Sequence, residues 1–344
     1  MEQGTIDKKD LKKLIAAVVK GGKFYGPVAR PQGTCLVELT ADSDLLLEYS
    51  NSVLPVKRLF FPQSEVIASY GEDGMKELPA PDDKVVIFGV RPCDALSLVM
   101  LDKVFLEQTA ASGQGEKKYV DPYYRTRRDN SLIISLACNE PLETCFCTSV
   151  GGSPAGSEGS DILVFDTGDT LLFEALTDKG KTFMQTHSNL FKEPAAAEIE
   201  AKGKLAIETD KKVPALNIED ITEKLQKSFE SDIWDQTSER CLGCGTCTYL
   251  CPTCHCFALC DEGTSSAGKR VKIHDACMFP SFTLEASGHN PRSTRGERMR
   301  QRIMHKFRYT VENLQKIFCV GCGRCITNCP VNVDVRETIE RIKK

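Results

Sequence analysis

The stretches "CLGCGTCTYLCP", starting at Cys241, and "CVGCGRCITNCP", starting at Cys319, each space four cysteines by two, two and three residues and end on proline. This duplication constrains the chain more than any other feature, because eight thiols in two such runs must be gathered around something. A cuboidal 4Fe-4S cluster takes one thiolate per iron, and a C-x2-C-x2-C-x3-C-P run supplies three of them from one tight loop. The fourth cysteine is carried off by the start of a helix and reaches the other cluster where two are present, and the proline after it removes an amide donor. On that rule Cys241, Cys244, Cys247 and Cys329 hold one cluster, and Cys319, Cys322, Cys325 and Cys251 hold the second. Gly243, Gly245, Gly321 and Gly323 suit a backbone that curls against a cube with positive φ. Paired C-x2-C units also bind zinc, but a zinc ion needs only four ligands, which leaves the duplicated run and its prolines unexplained.

The remaining cysteines bring in composition. There are 17 in all, and the N-terminal "MEQGTIDKKDLKK" is charged with no apolar segment of an export signal behind it, so a disulfide scaffold is not expected. The longest apolar runs, "LIAAVV" and "VVIFGV", are far too short to span a bilayer. The expectation is a soluble, cytoplasmic protein. A formal net charge of −4, from 44 basic and 48 acidic residues, gives no reason to expect nucleic acid or an anionic membrane as partner.

At 344 residues and 41% hydrophobic content the chain is long enough for two domains. Residues 8–20 place Leu11, Leu14, Ile15 and Val18 on one helical face before Gly21-Gly22. Then "CLVELT", "RLFF", "KVVIFGV", "SLIISLAC" and "DILVFDTGDTLLFEAL" read as strands, the last a hairpin about its "TGDT" turn. "DALSLVMLDKVFLEQ" has helical spacing, so residues 84–138 form a strand, helix, strand crossover with parallel strands. From Glu193 to Lys227 the composition turns to Ala, Glu and Lys, a solvated helical connector. The predicted fold class is therefore α+β. An N-terminal α/β-type domain with a partly parallel sheet spans 1–225, and a mainly helical, ferredoxin-like dicluster domain spans 226–344 with an insert at 252–318.

Within and around the C-terminal motifs, "ERCLGCGTCTYLCPTCHCF", "HDAC", "GHNPR", "RMRQRIMHKFRY" and "CVGCGRCITNCPVNVDV" resemble the dicluster ferredoxin region of the beta subunit of NAD(P)-linked NiFe hydrogenases (sulfhydrogenases) and of the anaerobic sulfite reductase A subunit. The resemblance is dense over 232–340. It implies an iron-sulfur electron-transfer subunit, not itself catalytic, in a hetero-oligomeric oxidoreductase of an anaerobe. Its implied partners are a flavoprotein subunit that exchanges hydride with NAD(P)H and a catalytic subunit of hydrogenase, sulfite reductase or heterodisulfide reductase type. Ala258 departs from the acidic residue expected after Cys256-Phe257, and Cys260 follows closely, so the roles of Cys254, Cys256 and Cys260 stay open.

The insert carries Arg292, Arg295, Arg298, Arg300, Arg302, Lys306 and Arg308 interleaved with Met299, Ile303, Met304 and Phe307 at helical spacing. Two readings stand: cations that approach anionic clusters or an acidic partner, or a solvated helix face. In the N-terminal half, Cys93 of "RPCD" and Cys138 end two expected parallel strands on one sheet edge, where open α/β folds bind ligands. Cys145 and Cys147 of "ETCFC" follow in the next loop. These four are read as a third 4Fe-4S site, a reading the resembling family supports with "RPCD" and "CFCTS" elements of its own, against the alternative of buried small hydrophobes. Cys35 and Cys277 are read as such hydrophobes, and His255 as a polar neighbour of a cluster. No base or vicinal thiol accompanies Cys145 and Cys147 as thiol catalysis would need. No strand leads into G-x-G-x-x-G and no phosphate-binding Walker run occurs, so neither a flavin nor an NAD site is expected in this chain. Two other readings remain, a stand-alone ferredoxin-like carrier and a zinc-stabilised interaction protein.

Overall fold

The computed structural model describes residues 2–107, 109–112 and 115–344. Its strands, in chain order, are β1 (Gln3–Asp7), β2 (Lys23–Arg30), β3 (Gly33–Glu38), β4 (Ser64–Gly71), β5 (Gly74–Glu77), β6 (Val85–Val90), β7 (Thr109–Ser112), β8 (Gly115–Lys118), β9 (Ser131–Leu136), β10 (Ile162–Asp166), β11 (Thr170–Ala175), β12 (Phe257–Gly263) and β13 (Gly268–His274). Seven of them form one sheet in the order β1-β11-β10-β9-β6-β2-β3. Its centre is parallel, from β2 through β6 and β9 to β10, and antiparallel partners close both edges.

The central strands are apolar on both faces, as parallel strands covered on two sides must be. Phe88, Ile134 and Val164 point to one face, where they meet Leu11, Leu14, Ile15 and Val18 of the helix Leu11–Val19. Ile87 and Ile133 point to the other, against Leu98, Leu101 and Phe105 of the helix Pro92–Phe105. The expected crossover is thus present: β6 and β9 are parallel neighbours, with Phe88 beside Ile134. The helix between them stops at Phe105; Gln108, the last residue of the expected helical run, lies outside the described residues. The "TGDT" hairpin forms as β10 and β11, and the connector forms the helices Ala196–Lys212 and Ile221–Lys227.

"RLFF" is not a strand. Pro55, at φ −67°, leads into a 3-10 turn over Val56–Leu59. Phe60 and Phe61 are buried beside Phe105 and Tyr124, so an apolar run bounded by prolines serves here as a core-filling turn. The same turn buries Lys57, which bears on the site below.

A second, four-stranded antiparallel sheet has the order β12-β13-β4-β5 and draws β4 from before residue 225 and β13 from the insert. Lys272 on β13 is buried between Glu65 of β4 (3.1 Å) and Asp121 (2.8 Å), tying this sheet to the start of the helix Pro122–Asp129. A second tie is the ion pair of Arg324 and Asp94, both almost completely buried, with nitrogen to oxygen distances of 2.6 and 2.7 Å. It joins the "RPCD" turn to the "CVGCGR" loop. No described helix is long and apolar enough to cross a membrane.

Candidate iron-sulfur centre

Both cysteine motifs fold alike. Gly245 opens a single helical turn over Thr246–Tyr249, and Gly323 opens its counterpart over Arg324–Thr327. Gly243, Gly245, Gly321 and Gly323 all hold left-handed φ, between +61° and +76°. At Gly321 a side chain is also excluded sterically, since a Cβ would lie 2.5 Å from the Cys147 amide nitrogen. The motif loops therefore curl tightly and turn their thiols inward.

Two chambers result. One is walled by Cys241, Cys244, Cys247 and Cys329 with Met278, Ile303 and Val333. The other is walled by Cys251, Cys319, Cys322 and Cys325 with Phe146 and Pro252. Each gathers three cysteines of one motif and the fourth of the other. Cys325 and Arg302 reach both chambers, so the two share a wall. Backbone amides point at sulfur from Gly243 to Cys241 (3.4 Å) and from Val333 to Cys329 (3.2 Å). Among the described residues no three His, Cys, Asp or Glu side chains come close enough to share one metal ion. Thiols spread around a chamber suit a multi-atom cube better than a lone zinc.

The charge around the chambers has the sign that thiolates need. Thr294 caps the helix Arg295–Met304 by accepting from the Glu297 amide while the Glu297 carboxylate accepts from the Thr294 amide. The helix then continues through a π turn at His305–Tyr309, a departure frequent at functional sites. Arg302 and Lys306, four residues apart, face inward and are each only 5% exposed. Arg302 Nη2 donates to the Cys247 carbonyl (2.9 Å), while its Nη1 is buried with no partner in the protein. Lys306 Nζ donates to Cys251 Sγ (3.1 Å), Thr253 Oγ1 (2.8 Å) and the Phe318 carbonyl (3.0 Å). Lys57 Nζ donates to the carbonyls of Cys251 (2.9 Å) and Cys254 (2.8 Å).

Among the described residues none of these three buried cations meets a carboxylate, so sulfur must balance them. Burial alone would lower the proton affinity of Lys306, but Cys251 and Cys254 outweigh it and hold the ammonium above its ordinary range. Arg302 is likewise held up, against burial, by Cys247 and Cys325. For Lys57 burial wins and the shift is downward. Several motif thiols are pushed up by burial, Cys319 to about 11. Cys244, beside the Thr246 hydroxyl at 3.3 Å, is lowered. Buried thiols without nearby cations would remain protonated, and the three cations counter that tendency.

Of the two readings of the basic segment, the approach to the thiols describes Arg302 and Lys306; Arg298 is buried but donates to the carbonyls of Arg292 and Ser293, Arg308 is half-buried beside Glu312, and Arg295 is exposed.

The N-terminal quartet lies against the second chamber. Cys93 starts the helix Pro92–Phe105, Cys138 follows β9, and Cys145 and Cys147 occupy the loop beyond. Cys145 Sγ is 3.7 Å from the Cys322 carbonyl, and the Phe146 amide donates to the Gly321 carbonyl at 2.8 Å. Burial pushes all four thiols up, Cys145 to about 11 and Cys147 to about 12.

Sequence reasoning missed a further gathering. Cys254, Cys256 and Cys277 line a small cavity with His255, His305, Arg302 and Lys306. Cys277 is buried in the C-terminal apolar core, as expected, and its side chain also meets that of Cys256. The signal was present in "CPTCHC", where cysteines continue past the fourth ligand position. Burial lowers His255 to about 4 and His305 to about 3, so both rings are neutral at physiological pH. Cys260, on β12, is exposed and apart from all these groups, and Cys35 lies on β3.

Residues 240–333 match the 4Fe-4S dicluster domain family, which defines this part of the chain as an iron-sulfur module. Over 328 residues, 94% of this chain and 93% of the relative, the sequence is 32% identical to sulfhydrogenase 2 subunit beta of Pyrococcus furiosus. The chain belongs to the sulfhydrogenase beta-subunit family.

Proposed function

We propose that this protein is the electron-relay subunit of a multi-subunit cytoplasmic oxidoreductase. It stands between a flavoprotein that handles NAD(P)H and a catalytic subunit of hydrogenase, sulfite reductase or heterodisulfide reductase type. The relative's name, a subunit of a sulfhydrogenase, supports the assembly. Cys241, Cys244, Cys247 and Cys329 hold one 4Fe-4S cluster, and Cys251, Cys319, Cys322 and Cys325 hold the other. Cys93, Cys138, Cys145 and Cys147 are proposed as a third site.

The observation that carries this reading is the pair of cysteine-walled chambers with Cys325 and Arg302 in their common wall. When bound, the clusters supply one-electron transfer without bond chemistry. The chain's own residues fix the two sites side by side, exclude water with Met278, Ile303 and Phe146, and balance charge with Arg302, Lys306 and Lys57.

Anaerobic purification with iron and sulfide analysis tests it. About eight irons per chain are expected from the two ferredoxin-type sites, and about twelve if the quartet is filled. C93S or C145S should then lower the count by about four, and an unchanged count removes the quartet. Zinc in place of iron refutes the reading. Co-purification with a flavin-containing and a catalytic subunit is expected, and isolation as a free carrier active alone would contradict the relay.

A further inference from the structure

The two chambers meet the surface differently. No residue that walls the second is exposed, and Pro252, Val320, Gly321 and Cys322 are all buried. In the wall of the first, Leu242, Cys244 and Pro330 are exposed, Leu242 to 65%. The N-terminal quartet lies against the second chamber, through Cys145 and the Cys322 carbonyl, and the second shares Cys325 with the first. The line of sites therefore ends at the surface beside Cys244. The loop there is held rigidly. Gly243 and Gly245 have left-handed φ, a Cβ on Gly245 would strike the Phe279 ring at 2.8 Å, and Arg295 Nη1 clamps the Cys241 carbonyl at 2.9 Å. Arg295 is exposed and meets no carboxylate among the described residues, so it sets a fixed positive charge next to Leu242.

We propose that this rim is the electron port of the subunit, where a partner protein carrying its own one-electron cofactor docks over Cys244, with apolar contact to Leu242 and Pro330 and a carboxylate facing Arg295. The inference deepens the relay reading above and rests on it. An electron passes between proteins only where their cofactors come close, and of the two chambers the first alone has a wall residue at the surface. A large apolar side chain displayed on a rigid loop, with a charge beside it, is how a docking site limits the ordering cost of association and sets orientation. A second copy of this chain is not the occupant the relay needs. It would place two sites of equal potential face to face and drive no electron onward.

The test uses EPR with a water-soluble gadolinium chelate as relaxation probe, on the full chain expressed alone and on the anaerobically purified complex. In the chain alone, the chelate should speed relaxation of the cluster signal that Cys244→Ala removes and leave the signal that Cys322→Ala removes unchanged. In the complex the first signal should be shielded as well. Native mass spectrometry of the complex then compares variants. Leu242→Glu and Arg295→Glu should each weaken retention of the cofactor-bearing subunit roughly tenfold or more, whereas Leu259→Glu, at an exposed leucine on β12, should retain it as the wild type does. Arg295 is not part of either chamber's wall, so Arg295→Glu keeps its iron and remains a fair test if Leu242→Glu fails to load. Equal response of both signals in the chain alone, a first signal as accessible in the complex as in the free chain, shielding by a second copy of this chain, or variants that hold the subunit as firmly as Leu259→Glu would each overturn the port while the two-cluster reading stands. Wild-type protein without iron would overturn that reading itself.

Discussion

Replacing Lys306 with methionine should lower the reduction potential of the cluster held by Cys251, Cys319, Cys322 and Cys325. The ammonium lies 3.1 Å from Cys251 Sγ and is 5% exposed, so solvent screens it little. Reduction adds one negative charge, which a neighbouring cation stabilises more than it stabilises the oxidised state. A hydrogen bond to a charged group contributes about 1.5–3 kcal/mol. With about 1.4 kcal/mol per tenfold in an equilibrium constant and 59 mV per tenfold for a one-electron couple, the shift is roughly 60–130 mV downward. Methionine keeps the aliphatic volume and removes the charge. Lys306→Arg, which retains the cation, should move the potential much less. The assay is an EPR-monitored redox titration of the anaerobic protein. A shift below about 20 mV in Lys306→Met, or an upward one, would refute the reasoning that this side chain tunes the site.

Asp94→Asn leaves Arg324 buried without its counter-charge, and the expected loss is about 3–5 kcal/mol in anaerobic urea unfolding; pairing it with Arg324→Met should recover part of that loss, and a cost under about 1 kcal/mol would contradict the tie. Gly321→Ala forces a Cβ to 2.5 Å from the Cys147 nitrogen at φ +61° and should abolish iron at the second chamber. Gly203→Ala, on an exposed helix with nothing within 4 Å, should be neutral or stabilise by about 0.4–1 kcal/mol, and equal effects of the two would refute the steric argument. His274 is 5% exposed and burial lowers it to about 3, so it stays neutral in the folded protein where the unfolded chain takes up a proton below about 6.5. His274 should therefore contribute a fall of about 2 kcal/mol in stability by pH 5, with His255 and His305 adding their own shares, and His274→Phe should make this part of the unfolding profile shallower by the His274 share. An unchanged profile in the variant would remove His274 as the cause.

What could be read from the sequence was whatever short-range chemistry decides. The spacing of cysteines within each motif, the glycines that need left-handed φ, and the apolar runs of β6 and β9 are local signals, and each reappears in the fold. The crossed grouping of cysteines was read from the ferredoxin-type ligand rule, and the two chambers are walled by the same sets. Long-range pairing left no such mark. β4 and β13, about two hundred residues apart, join through Lys272 and its two carboxylates, which no periodicity announces. Cys277 joins Cys254 and Cys256 only because the β12-β13 hairpin folds back, so its solitary place in the chain concealed it. "RLFF" has the composition of a strand, and the prolines on either side decide for a turn. Lys57 in that turn looks like any surface lysine until its amine is found on the carbonyls of Cys251 and Cys254.

The most direct measurement is a crystal structure of the anaerobically prepared protein with anomalous data collected across the iron edge. The account predicts one iron-sulfur peak bonded to Cys241, Cys244, Cys247 and Cys329 and another bonded to Cys251, Cys319, Cys322 and Cys325. Iron held by the four cysteines of a single motif, or an anomalous signal at the zinc edge instead, would contradict it.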